Sequence, residues 1–481
     1  MKTTRFLAIL TGLALFLPAA TSRAMDITAL ASGNWSDTNI WDSGTVPGAN
    51  DDADIPGGIS VTVDTNVVVQ FIYDAGTVVM GLGSSLNLTY DQAIASSTTL
   101  IADTVSNTVV YSGNPFFAKQ GNYYNLELAN TNYVDAYPPY YPYEDFNNFS
   151  SASGPTPMNI VGNFTLLGAI KVQQASGGAP ITIGGDLTIG TNCIWDCSGD
   201  NLTVAGNTYV YGLLEDLNGA LGTNDFEGNV LVSGIGTNGF SKVTGQGYNG
   251  WNVSDVTTWG IGGSLTNNGY IYGVAYGDLA FNGSGIITGT NVLTLPTITI
   301  SGSYEVGTTI LLTTNNPTLN GTVIFDLANT NQLVLRPSAT GLNTQTIYYS
   351  GNLEVLNSGP APVSGKNYQL FNAASYNGTF NNTTLPALAG GQTWVNNLAT
   401  SGSLAVLGGS AGSPVITVTH TSGQFTLAWN SAAYPGYHVQ VQTNSAGLGT
   451  NWTSATGGTV SPYSIAINPT NRTVFFRLAN P

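Results

Sequence analysis

The chain has 481 residues, 7% of them charged; 60 are glycine, and 26 acids against 10 Lys and Arg leave a formal charge of −16. So few cations, gathered in no patch, exclude a nucleic-acid binder. The abundance of β-branched and aromatic residues excludes a disordered chain. Stacked β-structure uses this composition well, with Thr, Asn and Ser on outer faces and Gly at corners.

Residues 1–24 read as a secretory signal peptide: Lys2 and Arg5, an apolar run from Phe6 to Leu17, then Ser22 and Ala24 before the cut. No later stretch reaches the roughly 20 apolar residues of a membrane helix. The expected location is therefore secreted or at the cell surface. Residues 25–100 follow as a β-rich N-terminal cap. Trp35 and Trp41 are placed there as plugs for the open end of a β-core, the rival role being sugar stacking. Asp51, Asp52 and Asp54 stand in a Gly/Pro turn, where carboxylates bond their own backbone or collect calcium. The order Trp35, Trp41, Val46-Pro47-Gly48, Asp51 to Gly58, Val61-Thr62-Val63 resembles the opening of G8-like domains. It is also similar to the heads of bacterial proteins with autotransporter-associated β-strand repeats. That resemblance implies a β-rich entry module that starts a solenoid and brings no catalytic residues.

Residues 101–408 are expected to form a β-solenoid, with insertions at 133–157 and 234–262. Its signature is one phrase written four times around Gly162, Gly185, Gly206 and Gly228, which lie 23, 21 and 22 residues apart. A period near 22 is too short for paired helices, and the flanking residues alternate as strands do. Two before the pivot stand Ile160, Ile183, Val204 and Phe226. Two after it stand Phe164, Leu187, Thr208 and Val230, and four after it Leu166, Ile189, Val210 and Val232. All but Thr208 are apolar, so these columns point inward. Directly after the pivot come Asn163, Asp186, Asn207 and Asn229, which predicts a polar ladder at one corner, spaced at about 4.8 Å. Cys193 and Cys197 form a local disulfide if Ile194-Trp195-Asp196 turns tightly, and stay apart if it is extended. The end of this region, Tyr368 to Phe371, Tyr376 to Phe380, Trp394 and Gly402 to Val406, resembles the close of autotransporter-associated β-strand-repeat passengers.

Residues 409–414 are a Gly/Ser linker, and residues 415–481 alternate as half-buried strands. A Trp in an early strand (Trp429) followed by a Tyr-led strand (Tyr437) resembles a fibronectin type III sandwich. The fold class is thus all-β: a parallel β-helix followed by a small β-sandwich.

For chemistry, a lyase needs a cationic clamp, but Lys171, Lys242, Arg336 and Lys366 are scattered along the solenoid. A hydrolase needs two carboxylates. Asp225 and Glu227 flank the inward Phe226 and point out together, roughly 7 Å apart by strand geometry; Asp196, Asp200, Glu215 and Asp216 are near in sequence. No third acid is expected one coil earlier, where Thr203 and Ala205 stand. Tyr209, Tyr211, Tyr270 and Tyr272 are candidate sugar-stacking rings. Thr165, Thr188 and Thr266 share an outward column that Tyr209 and Leu231 interrupt, which does not make an ice-binding face. No catalytic, cofactor-binding or metal set is assigned. The expectation is a non-enzymatic structural or adhesive protein whose partner is an extracellular polysaccharide or cell-surface glycan. The alternative is a carbohydrate-binding or polysaccharide-cleaving β-helix.

Overall fold

The computed structural model describes residues 25–481 apart from 91–93, 114–117, 120, 131–143, 147–156, 169, 175–179, 197–200, 217–222, 234–241, 246–257, 274–277, 291–292, 296, 308–309, 314, 337–344, 390, 409–413, 432–433, 435, 445–446, 472 and 480–481. The chain divides into two compact units, residues 1–285 with 289–296, and residues 286–288 with 297–481. The expected signal peptide lies outside the described residues. So does most of the 133–157 insertion, and only 242–245 and 258–262 of the second interruption are described.

Solenoid strands join three long parallel sheets, of fourteen, ten and eight strands. From Met158–Ile160 on, each coil of the first unit contributes one strand to each, as Ile181–Ile183, Leu187–Ile189 and Ile194–Asp196 do in one turn. Register is one to one between coils: Phe164 pairs with Leu187, Leu187 with Thr208, and Thr208 with Val230. The expected inward columns are buried throughout. Alternation explains this, since period-two side chains must take opposite faces and only one face can be apolar. Thr208 is buried with the rest, its Oγ1 without a hydrogen-bond partner. It lines a small internal cavity with Phe226 and Trp259.

The pivotal glycines owe their place to close approach rather than to unusual torsions. A Cβ on Gly206 would fall far inside contact distance of the Gly185 carbonyl, and one on Gly228 would strike that of Gly206. Beside them runs the predicted ladder. The Asp186 amide donates to Asn163 Oδ1 at 2.8 Å, that of Asn207 to Asp186 Oδ1 at 2.7 Å, and that of Asn229 to Asn207 Oδ1 at 3.1 Å. It extends past the four repeats, from Asn125 Oδ1 below, which accepts from the Asn163 amide, to the Ser264 amide above. Each side chain thereby satisfies a corner N–H that no ladder bond within a sheet would reach.

Parallel pairing begins well before residue 101. Asp26–Thr28, Asp52–Asp54 and Phe71–Tyr73 already form a parallel sheet, as do Gly33–Asn34, Ser60–Val63, Thr77–Met80 and Thr99–Ile101. Trp35 and Trp41 are both buried, their rings meeting edge to face at 5.0 Å, with Trp41 Nε1 donating to the Trp35 carbonyl at 3.0 Å. Packing claims both rings. Cys193 is a free, buried thiol on the residue before an extended strand, and Cys197 lies outside the described residues.

In the second unit the parallel strands continue, and an antiparallel sheet of Asn367–Gln369, Gln392–Asn397 and Ser403–Gly408 ends the series. The C-terminal module is a sandwich of two three-stranded antiparallel sheets, as the alternation of residues 415–481 predicts.

Candidate functional site

The most chemically distinctive surface lies on the first coils. In the sheet Asp26–Thr28, Asp52–Asp54, Phe71–Tyr73, the middle residues Ile27, Ala53 and Ile72 are buried. Alternation then turns the flanking residues outward in two columns, Asp26, Asp52, Phe71 and Thr28, Asp54, Tyr73. Carboxylates and aromatic rings are thus set side by side at strand spacing, about 4.8 Å.

Phe71 and Tyr73 stack with centroids 5.7 Å apart and planes 15° from parallel, and Tyr90 leans on Phe71 at 6.2 Å. Tyr90 is 46% exposed. Asp54 Oδ2 accepts from Thr28 Oγ1 at 3.2 Å, and Asp42 Oδ1 accepts from the Thr28 amide at 3.0 Å. Asp51 is spent on the turn, accepting from the Gly48 and Met25 amides. By contrast, Asp52 Oδ1 and Asp54 Oδ1 are shielded from solvent with no hydrogen-bond partner.

Electrostatics follow from the packing. Burial, then repulsion from Asp26 and Asp51, pushes the Asp52 carboxyl above its ordinary range. Burial also raises Asp54; the Thr28 hydrogen bond opposes this, while Asp74, Asp26 and Asp42 reinforce it. Tyr73 is pushed up to about 12 by burial and then by Asp54, Asp26, Asp52 and Asp74, so its hydroxyl remains a proton donor. Ten aspartates and no Lys, Arg or His stand between Arg23 and Lys119. That count was available to sequence reading and is the signal that finds the site. Phe71 and Tyr73 were missed because only the three-strand register brings them beside the acids.

The face offers acceptors, a phenolic donor and ring surface. It suits hydroxyl-rich ligands and repels carboxylated, sulfated or phosphorylated ones. Asp52 and Asp54 stand two residues apart on one strand, roughly 7 Å by strand geometry. Among the described residues, no group of three or more His, Cys, Asp or Glu is placed to hold a metal ion, so calcium at Asp51, Asp52 and Asp54 finds no support here.

The other candidates are described only in part, and register sets Asp196 opposite Glu215. Asp225 and Glu227 do flank the buried Phe226, with Thr203 opposite Asp225 as expected and Gly260 on its other side. A Cβ on Gly260 would strike Asp225 Oδ1, and Asn282 Nδ2 lies 3.2 Å from the same point, so an amide and not an acid faces Asp225 there. Asp200 lies outside the described residues, as do the side chains of Asp196, Glu215 and Asp216. Tyr209 and Tyr211 stack at 6.5 Å, nearly parallel, while the side chains of Tyr270 and Tyr272 lie outside the described residues. Register confirms that Tyr209 and Leu231 break the column of Thr165, Thr188 and Thr266. No helix among the described residues is long and apolar enough to cross a membrane. No family model matches the chain, and neither a curated protein nor a solved structure matches it.

Proposed function

We propose that this is an exported extracellular β-solenoid, a structural and adhesive element that contacts neutral, hydroxyl-rich glycan through the face of Asp52, Asp54, Phe71 and Tyr73. One observation carries the reading: the stacked Phe71–Tyr73 pair stands in the same two outward columns as the carboxylates of Asp52 and Asp54. Sugar C–H faces pack on aromatic rings and sugar hydroxyls donate to carboxylates, so both halves of the surface are used at once. The signal-like residues 1–24 support export, and the repeat architecture supports a spacer role.

The test is a glycan array with the mature chain, beside Phe71→Ala/Tyr73→Ala and Asp52→Asn/Asp54→Asn. Binding to neutral glycans that both double variants lose, with circular dichroism unchanged, is expected. Binding that survives both variants, or no binding at all, refutes the assignment. A reducing-sugar assay run in parallel addresses the second reading, cleavage, which the raised Asp52 and Asp54 favour because a general acid must hold its proton. Turnover lost in Asp52→Asn would replace adhesion with hydrolysis.

A further inference from the structure

Four Asn-Gly pairs lie among the described residues, at Asn268, Asn282, Asn320 and Asn377. The pair matters chemically because glycine, lacking a Cβ, lets its amide nitrogen approach the carbonyl of the preceding side chain. Three of the four are held away from that approach. The Gly321 amide donates to the Ile300 carbonyl at 2.8 Å, and Asn320 Oδ1 accepts from Ser350 Oγ at 3.2 Å. Asn268 Oδ1 is turned to the next coil, where it accepts from the Thr290 amide at 3.0 Å. Beside Asn282 the backbone is wedged, since a Cβ on Gly283 would strike the Gly262 carbonyl.

At Asn377 the two groups meet. Its Oδ1 accepts from the amide of Gly378, its own neighbour, at 2.7 Å. Both residues are exposed, and Gly378 takes a left-handed φ of 80°. They end the strand Ser375–Gly378, which pairs in parallel with Thr346–Tyr349 in a two-stranded sheet. The Ser375 amide donates to the Gln345 carbonyl at 3.3 Å. Alternate residues of a strand turn their amides to the same side, so Asn377 shares this bonded side and Gly378 turns its N–H to the open one. The preceding residue is anchored: Tyr376 Oη donates to the Phe371 carbonyl at 3.1 Å and accepts from the Ala373 amide at 3.0 Å. A nitrogen nucleophile and an amide carbonyl are thus held together on a solvated edge, where exposure leaves Cγ free to turn onto the nitrogen.

We propose that Asn377–Gly378 is a self-modification site, at which the folded chain slowly converts asparagine to isoaspartate. The Gly378 nitrogen gives up its proton and bonds to Asn377 Cγ; the Cγ–Nδ2 bond breaks, and Nδ2 leaves with that proton as ammonia. Solvent water then opens the five-membered imide at either carbonyl, giving aspartate or an isoaspartate whose main chain runs through Cγ. No electrons are exchanged, and water is the one co-reactant. The isoaspartate lengthens the backbone by one carbon opposite Tyr348 and adds a negative charge, which loosens the pairing of this strand.

Peptide mass mapping of the full mature chain, incubated folded at about pH 8.5, tests this through the gain of about 1 Da on deamidation. Asn377 should react roughly 10-fold faster than Asn268, Asn282 and Asn320 in the folded chain, because proximity favours it alone. Labelling by an isoaspartyl methyltransferase should fall on the same peptide and vanish in Asn377→Gln, with circular dichroism unchanged. In guanidinium chloride the four rates should converge. A folded-state rate at Asn377 no greater than at the other three overturns the proposal. So does a rate at Asn377 that rises on unfolding as theirs do, or isoaspartyl labelling that persists in Asn377→Gln.

Discussion

Asn207→Asp loads one rung of the corner ladder with charge: the new side chain keeps the shape and the acceptor oxygen of the old one and gives up only the long Nδ2 donation to Asp186 Oδ1 at 3.4 Å. The Asn229 amide retains its partner, while a second carboxylate now stands directly above that of Asp186, whose Oδ1 already accepts from the Asn207 amide. At the coil spacing of about 4.8 Å, Coulomb's law gives a repulsion of about 0.9 kcal/mol in bulk water and about 3.5 kcal/mol at an effective dielectric of 20. Both groups are partly solvated, so about 1–3 kcal/mol is expected between those limits. Hydrogen exchange at the amides of 207 and 229 reads this as roughly 5- to 150-fold faster local opening. The loss should shrink in about 1 M salt, where the screening length is near 3 Å. Unchanged exchange at low salt, or a loss that salt does not relieve, would refute the ladder as an electrostatically coupled stack.

The acidic face carries a pH signature of its own. The folded pKa values of Asp52 and Asp54 are raised, so the stability they contribute is fully present below the unfolded value near 4 and declines as pH rises through the raised folded values. These two carboxyls should therefore contribute more to the melting temperature as pH falls toward about 4, and that contribution should be lost in Asp52→Asn/Asp54→Asn; an identical profile in the variant contradicts the assignment. Gly206→Ala should destabilise by about 1–3 kcal/mol through overpacking against Gly185. Gly121→Ala, where a Cβ meets nothing within 4 Å, should stay within about 0.5 kcal/mol; equal melting temperatures for the two would discount the close approach. In a Cys197→Ser background, Cys193 should resist maleimide until the chain unfolds, since its thiol is buried and its pKa raised by that burial. Rapid labelling of the folded protein would contradict its placement.

The solenoid was legible because its information is local. Ile160, Phe164 and Leu166 repeat their pattern one coil later, and strand alternation converts that pattern directly into a buried face. Asn163 and its successors were legible as a ladder for the same reason. Thr208 was legible as inward only through its column, because nothing in a single strand separates a tolerated core hydroxyl from an outward one. The acid-aromatic face resisted sequence reading for a different cause: Asp26, Asp52 and Phe71 are 26 and 19 residues apart in a segment without a repeated phrase, so only register joins them. The C-terminal strands were legible from alternation, yet Val418 and Val439 alternate alike, and the sequence does not distinguish the apolar face that is covered from the one left open.

The close stacking of the glycines also bears on how such a chain can lengthen. In eight successive coils, from Met158–Ile160 to Thr318–Leu319, the glycine corner joins its two strands through only two or three residues. The interruptions depart elsewhere: residues 131–157 follow Asn125–Asn130, and residues 233–257 follow Val230–Val232. One edge of the solenoid thus acts as an inelastic seam, where backbones touch too closely to admit a side chain or an extra residue. Growth by insertion is confined to the other two corners, and a newly acquired binding loop has only those two sides from which to emerge.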